Sequence, residues 1–158
     1  MKKKVVFLGL LFLVLIGMGS SLIRGSGDSS ALISNDITWI SPGIVEIERL
    51  LPGSEVEFSL TVHSGDIDSK WFTVSYSKPV ILREEYLSPP LGAGDWISID
   101  ESSFILGPGE SRDLLITFKV PKDTKLPTSS WEFWVTVRWT QSNTVNTELS
   151  CRVLINVR

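Results

Sequence analysis

From Ile37 onward the chain alternates apolar and polar residues with period two, and no stretch keeps the period of an amphipathic helix. Successive side chains on a strand point to opposite faces, so this alternation builds sheets with one buried and one wet face. The clearest case is residues 55–62, where Val56, Phe58, Leu60 and Val62 form one row and Glu57, Ser59 and Thr61 the other. Further apolar rows are Phe72, Val74 and Tyr76; Leu114, Ile116, Phe118 and Val120; Trp131, Phe133, Val135, Val137 and Trp139; and Leu149, Cys151, Val153, Ile155 and Val157. Shorter candidates at 37–40, 44–47, 80–83, 96–99 and 104–106 bring the expected number of strands to seven to nine. Turn residues recur between the rows at the spacing of a sandwich or barrel. The expectation is an all-β, immunoglobulin-like Greek-key sandwich over residues 37–158.

Two corners echo each other, Leu51-Pro52-Gly53-Ser54-Glu55 and Gly107-Pro108-Gly109-Glu110-Ser111. In each, proline sets φ at one turn position and glycine supplies the positive φ at the next, so the chain reverses into a strand. The echo is read as repeated use of one turn chemistry rather than as a duplication. The last two long strands are expected to form a hairpin about Thr144, with 141–146 as its loop. Keeping both apolar rows on one face then pairs Val135 with Val153, Val137 with Cys151 and Phe133 with Ile155. On the opposite face the same register sets Trp134 across from Leu154.

The first two dozen residues lie outside that pattern. Met1-Lys2-Lys3-Lys4 is positive, residues 5–17 are almost wholly apolar, and Gly17-Met18-Gly19-Ser20-Ser21 is a patch of mostly small residues. That order is a secretory signal peptide. The alternative is an uncleaved membrane anchor at residues 5–23, closed by Arg24, which is just long enough to span a bilayer. Residues 1–23 are therefore assigned to a signal peptide or anchor helix, and 24–36, rich in Ser, Gly and Asp, to a flexible tether. The expected location is secreted or cell-surface, with contact to the membrane only through the N-terminal segment. Removing residues 1–19 takes away three of 15 basic residues against 18 acidic ones, moving the net charge from −3 to about −6. Such a balance argues against a nucleic-acid partner, which needs clustered Lys and Arg.

The single cysteine, Cys151, permits no intramolecular disulfide, so stability must come from a hydrophobic core of roughly 120 residues. Together with the absence of Asn-x-Ser/Thr sequons, this tilts the expected source towards prokaryotes or viruses. Cys151 falls on an inward row, where a thiol behaves as an inert small hydrophobe. His63, the only histidine, falls on a polar row at a strand end. Asp66 and Asp68 follow His63 closely, but a Cys–His dyad is disfavoured because Cys151 faces inward and His63 lies on a polar row. A zinc site is disfavoured because three or four His or Cys ligands are needed. The loop Ser64-Gly65-Asp66-Ile67-Asp68-Ser69 spaces two carboxylates two apart but lacks the rest of a calcium loop, and is read as a solvated turn. No catalytic residue, metal or cofactor is expected.

The run Trp96-Ile97-Ser98-Ile99, Phe104-Ile105-Leu106, Pro108-Gly109-Glu110-Ser111, Ile116-Thr117-Phe118-Lys119-Val120-Pro121-Lys122-Asp123 and Trp131-Glu132-Phe133-Trp134-Val135 resembles a recurring prokaryotic module. It is the immunoglobulin/fibronectin-III-like domain of cell-surface proteins, found beside glycosidases and in WxL-type proteins, and the resemblance covers about residues 50–158. The chain departs from that pattern at Pro127-Thr128-Ser129-Ser130-Trp131, where the family usually has Gly before the aromatic strand. These motifs are turns and core rows, so they imply fold and transfer no binding residue.

Six tryptophans are the remaining signal. Trp134, with neighbours Glu132, Thr136 and Arg138, reads as outward-facing, and Trp71 alternates out of the row of Phe72, Val74 and Tyr76. Trp134, Leu154 and Trp71 are accordingly the candidate ligand or partner surface. The competing expectation is that residues 82–91 or the tether cover Trp134 and Leu154, because Leu87-Ser88-Pro89-Pro90-Leu91 is apolar and must rest on something. The expected function is a non-catalytic structural, adhesion or protein-interaction module at the cell envelope, engaging a protein partner or its own copies. The alternatives are a carbohydrate- or cell-wall-binding module using the outward tryptophans, and an exported inhibitor or chaperone-like sandwich.

Overall fold

The computed structural model describes residues 37–142 and 145–156. The signal or anchor segment at 1–23, the tether at 24–36 and the hairpin tip at 143–144 lie outside the described residues. The alternating rows become nine strands: β1 Trp39–Ser41, β2 Ile44–Glu48, β3 Glu55–His63, β4 Lys70–Ser77, β5 Ile97–Ile99, β6 Ser103–Leu106, β7 Ser111–Lys119, β8 Trp131–Ser142 and β9 Val145–Asn156. A short 3-10 turn, Ala93–Trp96, precedes β5. One sheet has the order β1-β3-β7-β5 and the other β2-β9-β8-β4-β6. The fold is all-β, an immunoglobulin-like sandwich.

The chain changes sheet between β1 and β2. β1 runs antiparallel to β3, and β2 then runs parallel to β9 in the other layer, with the Ser41-Pro42 peptide bond between them in the cis form. The chain then alternates between the sheets strand by strand up to β8, and at 97–106 β5 joins the edge of β7 while β6 joins the edge of β4. Both Pro-Gly corners take their expected form: Gly53 and Gly109 have φ of 76° and 71°. Each is closed by a backbone bond spanning four residues, Ser54 N–H to Leu51 O and Glu110 N–H to Gly107 O. A side chain at either glycine would be strained by that φ whatever space surrounds it.

The inward rows meet as one core. Phe58, Leu60 and Val62 of β3 and Leu114, Ile116 and Phe118 of β7 face Phe72, Val74, Phe133, Val135, Val137 and Val153 across the layers, all buried. Aromatic rings fill both ends: Phe118, Phe133 and Trp131 at one, with Phe118 and Phe133 stacked at 5.3 Å, and Phe72 between Phe104 and Trp139 at the other. Full burial of each such side chain contributes about 1.5–3 kcal/mol, which is how the domain dispenses with a disulfide. Cys151 sits inside this core with no exposed surface, and burial pushes its thiol up to about 12.

Two expectations are corrected. Residues 80–83 are not a strand; they follow Pro79 in a connecting segment and carry consecutive apolar residues with no alternation. The hairpin register is shifted by two residues. Val135 faces Cys151, Phe133 faces Val153, and Trp134 faces Arg152 rather than Leu154. The strands continue to Ser142 and resume at Val145, and an irregularity between Thr140 and Ser142 absorbs one residue. A shift of two leaves every side chain on its expected face.

Candidate functional site

The outer face of the five-stranded sheet holds all three candidate residues, and the structure separates them. Trp134 lies opposite Ser77 on β4, six residues from Trp71, which places the two tryptophans about 20 Å apart along the sheet at the usual strand rise.

Between them the face is a polar ladder. Ser77, Thr136 and Ser150 are hydrogen-bonded in a row across β4, β8 and β9, with 2.5 Å and 2.9 Å between successive hydroxyls. Hydroxyls both donate and accept, so such a row satisfies itself without charge.

Leu154 is not on the surface. It is 0% exposed, and so is Glu132, which sits opposite it on β8. The cover is residues 78–92, the connection leaving β4. This segment runs along β9: Ile81 O accepts from Arg152 Nη2 at 3.3 Å, and Tyr86 Oη donates to Asn156 Oδ1 at 2.8 Å. It then enters the sheet beside β8, past the end of β4. There Leu87 N–H donates to Ser130 O and Glu132 N–H donates to Leu87 O, both at 3.0 Å. The outward row Glu132, Trp134, Thr136 thus reads as surface in sequence yet is largely covered in the fold.

Under this strap Trp134 is half-buried. Its Nε1 donates to Glu132 Oε1 at 3.1 Å, and the Arg152 guanidinium lies 5.3 Å from its ring. One face of the indole is therefore occupied by a cation. Glu132 Oε2 is buried with no hydrogen-bond partner among the described residues. Glu46 and Glu85 stand near Tyr86 as well. Burial first, and then the carboxylates of Glu46, Glu85 and Glu132, raise the Tyr86 phenol above its ordinary value, while Arg83 opposes them. A concavity of about 660 Å³ opens beside the strap, lined by Glu48, Glu85, Tyr86, residues 128–130 and Asn156.

Strap residues point outward as well. Val80 is 86% exposed, Ile81 70% and Leu91 93%, and Leu82 and Leu87 are also exposed. None of these was singled out as a site from the sequence. The available signal was a run of apolar residues that fits neither period.

Trp71 stands at the far end of the face, 57% exposed, with Ile105 of β6 beside it. On the outer face of the other sheet, Trp39 stacks on His63 at 5.0 Å, and His63 Nδ1 is 2.8 Å from Ser111 Oγ. His63 and Cys151 do not meet, since one is on that outer face and the other in the core. Among the described residues no group of three or more His, Cys, Asp and Glu is placed to hold a metal ion, and no helix is long and apolar enough to cross a membrane.

No protein-family model and no curated protein matches the chain. Solved structures share its fold. PapD-like domain 7 of human CEP192 is 13% identical with a TM-score of 0.57, the match covering 88% of this chain and 94% of that one. The periplasmic chaperone SfaE is 13% identical with a TM-score of 0.51, over 75% of this chain and 57% of the chaperone. A family 123 glycoside hydrolase from Clostridium perfringens is 11% identical with a TM-score of 0.53, over 73% of this chain and 23% of the enzyme. One sandwich thus recurs in a domain of a human protein, in a periplasmic chaperone and inside a glycoside hydrolase, so the fold by itself names no function.

Proposed function

We propose that this domain is an exported, non-catalytic protein-interaction module of the cell envelope, and that its strap is the docking surface. The observation that carries this reading is the exposure of Val80, Ile81, Leu82, Leu87 and Leu91 on one connecting segment. Clustered exposed aliphatic side chains are costly for a monomer to keep and mark interaction sites. Here they are displayed on a segment pinned to β8 and β9 by hydrogen bonds, so little ordering remains to be done on binding. The acidic concavity beside them, with Glu48 and Glu85, suits a partner that places Lys or Arg next to its apolar anchor. Export rests on the N-terminal charged, apolar and small-residue order, and the cell-surface setting on the resemblance to prokaryotic surface modules.

Site-specific photo-crosslinking from Ile81 of the full chain in its native cells tests the reading. A discrete protein adduct is expected, absent when the crosslinker replaces Ser59 on the other sheet and lost on adding Val80→Asp. An adduct of twice the chain's mass identifies a second copy as the partner. Equal labelling from both positions, or an adduct indifferent to Val80→Asp, sinks the proposal.

A further inference from the structure

The uncovered end of the same face carries a second surface. A concavity of about 430 Å³ is bordered by Trp71 of β4, by Arg138, Trp139 and Thr140 of β8, and by Asn146 and Glu148 of β9. Its size falls within the range of small-ligand sites. Trp71 offers a broad, half-exposed indole on the outward row. The polar groups around it are held by one another: Arg138 Nε donates to Glu148 Oε2 at 2.9 Å, and Thr140 Oγ1 donates to Asn146 Oδ1 at 3.1 Å. Trp139 also borders the concavity. Its ring lies on the inward row, 6% exposed and stacked on Phe72, so it backs the concavity from the core side.

The lining discriminates among ligand classes. Arg138 and Glu148 neutralise each other, so the site has no net charge to draw a phosphate chain or a cation. An aliphatic peptide side chain needs enclosing apolar walls, and beyond Trp71 and the exposed Ile105 next to it the border is polar. A sugar ring fits both parts. Its C–H face stacks on an indole, and its hydroxyls donate and accept towards guanidinium, carboxylate and amide groups. Trp134 is a poorer platform, because the Arg152 guanidinium already lies over its ring.

We propose that this concavity is a carbohydrate subsite, with Trp71 stacking on the apolar face of a neutral sugar ring and Arg138, Asn146 and Glu148 hydrogen-bonding its hydroxyls. The subsite is independent of the strap, so either surface can fail without the other. Titration calorimetry of the full chain against neutral cello-, xylo-, manno- and chito-oligosaccharides tests it. At least one should bind, and Trp71→Ala should weaken it by about tenfold or more, with Trp71→Phe losing less. Asn146→Ala should also weaken binding, whereas Val80→Asp on the strap should leave it unchanged. Trp71 is half-exposed, so circular dichroism of Trp71→Ala should match the parent chain. No binding of any probe at millimolar concentration overturns the proposal, as does binding that Trp71→Ala leaves intact. Loss of the strap's protein adduct on Trp71→Ala, without sugar binding, would make this end a protein contact and overturn it equally.

Discussion

The outer face of the five-stranded sheet ends in two chemically similar sets of residues that meet different fates. One end has Leu154, Trp134, Glu132 and Arg152; the other has Ile105, Trp71, Glu148 and Arg138. At the first, residues 78–92 cross the sheet, Leu154 and Glu132 lose all exposure, and the arginine turns its guanidinium onto the tryptophan. At the second, the arginine pairs with the glutamate, and Trp71 and Ile105 stay 57% and 53% exposed. The strands supply the same kinds of side chain to both ends. Whether they become core or surface is decided by a segment distant in sequence, and that segment carries its own apolar residues outward in exchange.

The largest difference between the ends should appear on truncating their aliphatic residues. Leu154→Ala leaves a cavity beneath the strap and should cost about 2–4 kcal/mol in urea unfolding. Ile105→Ala removes surface that water already reaches, and should stay within about 0.5 kcal/mol. Comparable losses at the two positions would show that the open end is as tightly built as the covered one.

Residue chemistry explains what was legible. Val56 to Val62, Leu114 to Val120 and Trp131 to Trp139 gave their strands away because alternation reports which face each side chain takes. Gly53 and Gly109 announced their turns because each follows a proline. The hairpin register differs by two residues from the one alternation suggests, because alternation constrains only parity. The irregularity between Thr140 and Ser142 and the tighter turn decide among registers of equal parity. The burial of Leu154 was legible only through the apolar run 87–91, which needs something to rest on. The alternation of β8 and β9 alone puts Glu132 and Leu154 on the surface, since the Leu87 contact that buries them spans more than forty residues of chain. The concavity at Trp71 escaped for a related reason: Arg138, Asn146 and Glu148 look like ordinary solvated residues until the hairpin brings them beside Trp71.

A middle-sized effect is expected where the strap is tied down. Arg152→Met keeps much of the stem but removes both the bond to Ile81 O and the cation over Trp134. The loss should be about 1 kcal/mol, of the order of one hydrogen bond or one cation–π contact. It should also be local, with faster hydrogen exchange at the Leu87 and Glu132 amides that hold the strap to β8, and little change at the β3–β7 ladder. Unaltered exchange at Leu87 would mean that the strap is held by its backbone pairing alone, and that the arginine matters only to the tryptophan.

The smallest effect belongs to the ion pair at the open end. Arg138 and Glu148 have a good separation of 2.9 Å, but their side chains are 53% and 51% exposed. Water screens the attraction, and ordering two long side chains opposes it, so exposed pairs contribute about 0.2–1 kcal/mol. A double-mutant cycle with Arg138→Ala and Glu148→Ala should give a coupling of about 0.3 kcal/mol that fades in high salt. A weak pair is also what the carbohydrate subsite needs, because guanidinium and carboxylate must turn towards ligand hydroxyls without unfolding anything. A coupling well above 1 kcal/mol, insensitive to salt, would instead make the pair a structural clamp. The two ends would then differ in cover but not in rigidity, and Trp71 would stand on a surface with no groups free to recognise a sugar.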